Sequence, residues 1–258
     1  MINQESAPVV GVLVTHNSQA FLSELLDSID AQTQQLDQLV VIDDNSTDST
    51  RNILSERGIT AIRSTSTATD LSTRVASNFL QGVSNAPPGS IVILADHDDV
   101  WLPNRVQHQS KLMRASPNAA MLASDGNIST GQTLRSTFPV PEKWGALTKR
   151  QQFTYALKHS IATGGASAIR PGKLPTTIPS GWLHDRWWSL AAISENAMLL
   201  DTEPVINYRI TSAQQIGLNT QAQGRNTKTW LTHHGRNAGR SIKRSMDLAL
   251  LFTGRLNK

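Results

Sequence analysis

The sequence contains no cysteine. That excludes a disulfide scaffold, Cys-ligated zinc, iron–sulfur clusters and thiol catalysis, and it fits a reducing compartment. No stretch approaches the ~20 consecutive apolar residues that a membrane-spanning helix needs. Met1-Ile2-Asn3-Gln4-Glu5 has no basic segment leading into an apolar one, so a cytoplasmic location is expected. The phosphate-loop pattern GxxxxGK[ST], the dinucleotide pattern GxGxxG and the zinc-hydrolase pattern HExxH are all missing. What is present is 258 residues, 38% of them apolar. This is too apolar for a disordered chain and long enough for a sizeable core.

Charge is unevenly spread. The chain holds 24 Lys+Arg against 20 Asp+Glu. Eight of the basic residues (Arg225, Lys228, Arg236, Arg240, Lys243, Arg244, Arg255 and Lys258) fall after residue 224, with Asp247 as the one acid there. The final 34 residues therefore carry +7, and the 224 before them carry −3. An acidic body argues against broad nucleic-acid binding. Residues 236–252 place Ile242, Met246, Ala249, Leu250 and Phe252 beside a basic face of Arg236, Arg240, Lys243 and Arg244. That pattern suits an interfacial helix drawn to anionic lipid, or equally a helix packed on the domain with a solvated basic face.

The first hundred residues alternate between strand and helix patterns. Short apolar runs at 9–14, 39–42 and 91–95 read as buried strands, with a further strand at 59–63. Helical spacing appears over 18–31, 48–57 and 74–84. Ser46 or Thr47 is the expected cap of the second helix and Gly58 its end. The stretch 64–73 holds seven Ser or Thr and reads as a loop. This βαβαβαβ order predicts an α/β fold with a mostly parallel sheet and right-handed crossovers. Beyond it, a strand at 119–123, a helix at 147–161, a Pro-rich loop at 171–179, a helix at 184–193 and a strand with a turn at 197–207 are expected. The division expected is a domain over 1–222, with a nucleotide-binding half (1–100) and an acceptor-binding half (101–222), followed by a basic helical extension over 223–258.

In such sheets ligands bind beyond the carboxyl ends of the strands. Three strands here end in polar clusters: Thr15-His16-Asn17, Asp43-Asp44-Asn45-Ser46, and Asp96-His97-Asp98-Asp99. Three carboxylates within four residues repel one another, and a hard divalent cation such as Mg²⁺ or Mn²⁺ relieves that repulsion. A solvated acidic turn is the plain alternative. The second cluster reads either as a capped βα loop or as a carboxylate that accepts hydrogen bonds from a base or ribose. Asp185, in His184-Asp185-Arg186-Trp187-Trp188, is placed to favour a helix N-terminus or to act as a general base among aromatic rings. Those rings, with Trp182, suit sugar stacking or core filling.

Together the four stretches resemble a family-2 glycosyltransferase of the GT-A type. They are Val9 to Asn17, Val40 to Thr50, Leu94 to Pro103, and His184 to Trp188. Tyr208-Arg209 is similar to a late element of the bacterial rhamnosyltransferase-like branch. His16 stands where the family usually has an aromatic residue, and His97 where this branch often has Gln.

The resemblance implies inverting transfer of a sugar, hexose or deoxyhexose, from a nucleotide-diphosphate donor. The acceptor it implies is a hydroxyl of a cell-surface glycan or lipid-linked glycan. It places Thr15, His16 and Asn17 beside the nucleotide, Asp44 on the base and Asp96 on the ribose side. Asp98 would bind Mn²⁺ or Mg²⁺ and Asp185 would be the general base. Arg74 is a further expected contact to the diphosphate. The alternatives are a degenerate sugar-nucleotide-binding protein and a nucleotidyltransferase on a similar sheet. The sequence allows an oligomer, and residues 225–258 would allow peripheral attachment to the inner face of the cytoplasmic membrane.

Overall fold

A computed structural model describes residues 7–128, 131–137, 139–210, 246–249 and 251. The chain separates into Met1–Tyr208 and Arg209–Lys258. In the second unit residues 246–249 and 251 are helical. The expected boundary at 222/223 and most of the basic segment lie outside the described residues. No helix among the described residues is long and apolar enough to cross a membrane.

The first unit is built on one sheet. Its strands are β1 (Val9–Thr15), β2 (Gln38–Asp43), β3 (Ile62–Arg63), β4 (Ile91–Asp96), β5 (Val100–Trp101), β6 (Met121–Ile128), β7 (Ser167–Ile169) and β8 (Met198–Tyr208). The helices are α1 (Leu22–Asp30), α2 (Thr50–Glu56), α3 (Leu71–Ser84), α4 (Arg105–Ala115), α5 (Leu134–Thr137), α6 (Lys149–Lys158) and α7 (His184–Ser194). The strand order is β3-β2-β1-β4-β7-β6-β8-β5. Strands β1, β2, β3 and β4 are mutually parallel, and β6 is parallel to β8. The short β7 runs antiparallel to β4 and β6, and β5 antiparallel to β8. The expected mostly parallel α/β sheet is what forms.

Every residue of β1 is buried, as is all of β4 except its final Asp96. That is the pattern of strands covered on both faces, and it is why they read as unbroken apolar runs rather than alternating ones. Helix α3 lies against β1 and β2. Gly82 permits this, since a side chain there would collide with Val12. The order reverses at β1: β2 and β3 lie on one side of it and β4 on the other. Such a reversal opens a crevice at the carboxyl ends of the two diverging strands.

Local differences from the expected elements have physical reasons. Helix α2 begins at Thr50, and neither Ser46 nor Thr47 caps it. Ser46 Oγ instead accepts from the Asn17 amide (2.9 Å), while the Asp48 carboxylate takes the Thr50 amide (3.0 Å) and the Gln19 amide (3.1 Å). Helix α3 begins three residues earlier than expected, because Asp70 caps it by accepting from the Thr73 amide at 2.9 Å. Arg74 is therefore inside the first turn. Gly58 ends α2 with φ +68° as expected.

Candidate active site

The three polar strand ends meet at the crevice. Thr15 is in register with Asp43, and Val14 with Asp96. Parallel pairing thus carries all three clusters to one edge of the sheet.

On the β1–β2 side the protein supplies its own counter-charges. Asp43 is 1% exposed. Its carboxylate accepts from Thr15 Oγ1 (3.2 Å) and the Ser46 amide (3.2 Å), and pairs with Arg51 Nε at 2.7 Å. Burial alone would raise its pKa, but the Ser46 hydrogen bonds and the Arg51 charge outweigh it, and Asp43 sits below the ordinary carboxylate value. Asp44 is also buried, with Arg74 Nε 2.9 Å from its Oδ2. This is an ion pair by distance only, because the Nε–H is not aligned on the carboxylate as a hydrogen bond. Arg74, expected at the diphosphate, is placed against Asp44.

Thr15 is fully buried and its hydroxyl is turned toward Asp43. His16 Nδ1 lies 2.7 Å from the Asp44 carbonyl. Asn17 takes φ +48°, a left-handed conformation that Asn tolerates, and its Oδ1 accepts from the Thr47 amide at 2.9 Å. These bonds make the β1 and β2 ends one rigid wall.

The β4 side is different in kind. Asp96, half-buried, has its pKa pushed up to about 7 by burial, then by the charges of Asp98 and Asp185. The Gly165 backbone N–H and the Arg105 charge offset this only in part. Asp98 and Asp99 are buried too, at 8% and 1% exposure. His97 is held below its ordinary value by burial, against the pull of Asp98; His16 pushes it the same way as burial does. The two histidines thus bring the β1 and β4 ends within each other's field. Among the described residues no salt bridge reaches Asp96, Asp98 or Asp185.

Asp185 comes from the far end of the chain. It lies in the first turn of α7, where the helix dipole favours a carboxylate. Its Oδ2 accepts from the Gly164 amide (3.2 Å) and its Oδ1 from the Arg186 amide (2.6 Å). Its neighbour His184 is 4% exposed, stacks on Phe79 with ring centroids 3.8 Å apart, and has no hydrogen-bond partner at either ring nitrogen. Burial lowers its pKa to about 4, so the ring is neutral. Trp182, Trp187 and Trp188 are all buried. They fill the core beside the site and offer no open ring face for sugar stacking.

Three participants carry no local sequence signal. Arg105, on α4, is completely buried with its guanidinium 4.1 Å above the Trp101 ring. Burial lowers its pKa to about 9 while Asp99 and Asp96 pull it back up. It donates to the Leu94 carbonyl (2.8 Å) and to Gln109 Oε1 (3.2 Å), so a cation stands directly behind the acidic turn. Gly164 and Gly165, in the 3₁₀ turn before β7, are the other two. A buried Arg is read from sequence as surface, and a Gly pair as a loop.

The arrangement fits a divalent cation. Asp96 and Asp99, whose carboxylate oxygens would both crowd a Cβ on Gly165, are oxygen donors held close together, and Asp96 has its pKa raised to about 7. Among the described residues no three His, Asp or Glu are placed to hold a metal on their own.

Comparison with known proteins agrees with the fold. At 24% identity over 218 residues, 81% of this chain matches 66% of an uncharacterised glycosyltransferase of Rickettsia prowazekii. An uncharacterised glycosyltransferase of Nostoc sp. is 26% identical over 46% of this chain and 38% of its own. The chain thus spans just under two thirds of the first of these relatives and less of the second. S. aureus TarS (residues 1–349) superposes with TM-score 0.57 at 15% identity, covering 96% of this chain and 82% of that one. Glucosyl-3-phosphoglycerate synthase from Mycobacterium tuberculosis, solved with Mg²⁺ and uridine diphosphate, does so with TM-score 0.57 at 16% identity, covering 92% and 83%. At these identities the two structures speak for the fold. The model of the family described as "Glycosyl transferase family 2" matches residues 12–175, well over half of the chain, and on that match the chain belongs to glycosyl transferase family 2.

Proposed function

We propose that the protein is an inverting, metal-dependent glycosyltransferase. It moves a hexose or deoxyhexose from a nucleotide-diphosphate donor to a hydroxyl of a cell-surface glycan or lipid-linked acceptor. The observation that carries this reading is the meeting of Asp96, Asp98 and Asp185 at the switch-point crevice, with Asp96 pushed up to about 7 by burial and then by the other two. Fold relatives bound to uridine diphosphate, and in one case to Mn²⁺ with UDP-glucose, support it.

In this reading the rigid β1–β2 wall receives the nucleotide. Thr15, His16 and Asn17 shape it, and Asp44 with Arg74 sets an acceptor beside a cation for the base. Asp96 faces the ribose side. Asp98 would hold a divalent cation, which when bound acts as a Lewis acid on the leaving diphosphate. Asp185 takes the proton of the acceptor hydroxyl as that oxygen bonds to the anomeric carbon. The bond to the diphosphate oxygen breaks with its electron pair, and configuration inverts. Two backbone N–H hydrogen bonds at the helix N-terminus hold the Asp185 carboxylate in place for this role. The buried tryptophans around it keep water out.

A thermal-shift screen of nucleotide sugars with Mn²⁺ and Mg²⁺ tests the reading, since a ligand of the folded state raises the melting temperature by mass action. One nucleotide class should stabilise the protein only with the cation present. No shift with any donor would refute it. The basic segment 225–258 supports peripheral placement at an anionic membrane. Vesicle sedimentation of the full chain against one ending at Asn219 tests this, and equal binding of the two would rule it out.

A further inference from the structure

The two carboxylates assigned to opposite sides of the reaction lie against neighbouring residues. The Gly164 amide donates to Asp185 Oδ2 at 3.2 Å. The next residue, Gly165, faces Asp96: a Cβ built on it would meet Asp96 Oδ2 at 2.9 Å, and its backbone N–H lowers the Asp96 pKa. Reached from adjacent residues, the two carboxylates are at most about 12 Å apart.

Neither position has room for a side chain. A Cβ on Gly164 would lie 2.5 Å from His184 Nε2, and one on Gly165 would collide with the carboxylates of Asp99 and Asp96. The obstacles are firm. His184 is stacked on Phe79, and Asp96 ends a strand paired with β1 along its whole length.

The turn itself is tied down from three directions. Residues 167–169 leave it directly as β7, which pairs with β4, the strand that bears Asp96. Gln109 Nε2 donates to the Ala166 carbonyl at 2.9 Å, and Gln109 is itself held by Arg105. Ser167 Oγ donates back to the Thr163 carbonyl at 2.6 Å. A turn braced in this way transmits position rather than absorbing it.

We propose that Gly164 and Gly165 are a positioning pair whose adjacent backbone contacts set the separation of the base carboxylate, Asp185, from the donor-side carboxylate, Asp96. The proposal rests on the transferase reading for the roles of those two groups. It assigns each glycine a different half of the reaction: Gly164 serves proton removal, and Gly165 serves donor binding.

Amide NMR of the full-length protein tests the contacts without any donor and without touching the glycines. Asp185→Asn should move the Gly164 amide resonance further than that of Gly165, and Asp96→Asn should do the reverse. Equal movement of both resonances in either variant, or movement of neither, overturns the proposal. The division of labour is then read in kinetics. Gly165→Ala should weaken calorimetric binding of UDP with Mn²⁺ by about tenfold, as loss of a supporting contact does. Gly164→Ala should leave that affinity unchanged but slow release of UDP from UDP-sugars by roughly a hundredfold, the cost of a misplaced group. Adding His184→Ala to Gly164→Ala removes the obstacle and should restore most of the rate. Equal loss of affinity in both glycine variants, or no recovery in the double variant, refutes the assignment. Failure of the wild type to bind any nucleoside diphosphate with Mn²⁺ strikes the transferase reading, whereas the NMR pairing is read independently of it.

Discussion

The acidic clusters at the ends of β2 and β4 look alike in sequence and differ in physics. Asp43 and Asp44 are neutralised by the protein itself, through Arg51, Arg74, Thr15 and Ser46. Asp96 and Asp98 face Asp185 with Arg105 behind, and the balance leaves Asp96 protonated up to about pH 7. One cluster is finished when the chain folds. The other carries a repulsion that a bound cation would remove. Asp98 is buried as Asp43 and Asp44 are, so it is the partners and not the burial that separate a wall from a site.

The sharpest way to probe the β4 side is its far member. Asp185→Asn should cut transfer by about 10²–10⁴-fold, the worth of a general base, while donor affinity by calorimetry stays near wild type. Near-normal transfer would remove Asp185 from the base role. Asp98→Ala should weaken metal-dependent nucleotide binding by roughly 10–100-fold, and unchanged manganese dependence would contradict the cation assignment.

His184 sharpens the comparison through pH. In the unfolded chain it titrates near 6.5, and in the fold near 4. The stability given by its neutral burial is complete above about pH 6.5 and is lost as pH falls through about 4, on the order of 3 kcal/mol in all. Denaturant titrations from pH 7 to 4 should show this loss, and His184→Gln should flatten it. An unchanged pH slope in that variant would place the titration elsewhere.

Asp43→Asn breaks the finished cluster. It should cost about 1–3 kcal/mol of stability, from lost charge-assisted hydrogen bonds, because Arg51 is half-exposed and is not left stranded. Asp98→Asn should cost nothing, since it relieves repulsion. Equal destabilisation by the two would erase the distinction drawn between the clusters.

Much of this was legible in the sequence where the physics is local. The runs at 9–14, 39–42 and 91–95 announced buried parallel strands, and their polar ends announced the crevice. The capping of α2 departs from the expectation because Ser46 is used by Asn17, 29 residues away in sequence. Strand β5, two residues long, and helix α4, whose buried face includes Arg105, Gln109 and Ser110, gave no apolar pattern to read. Arg105 illustrates the reason. Its role depends on Asp96 and Asp99 meeting it in space, and no spacing rule encodes that. The tryptophans of 182–188 were readable as aromatic but not as buried, which only packing decides.

The central claim is that the acidic cluster at the end of β4 completes itself with a divalent cation and a nucleotide diphosphate. Calorimetric titration of UDP into the wild type, with Mn²⁺ and with chelator, tests it most directly. The account predicts binding that depends on Mn²⁺ in the wild type and loses that dependence in Asp98→Ala. UDP affinity that is the same with Mn²⁺ and with chelator would contradict it.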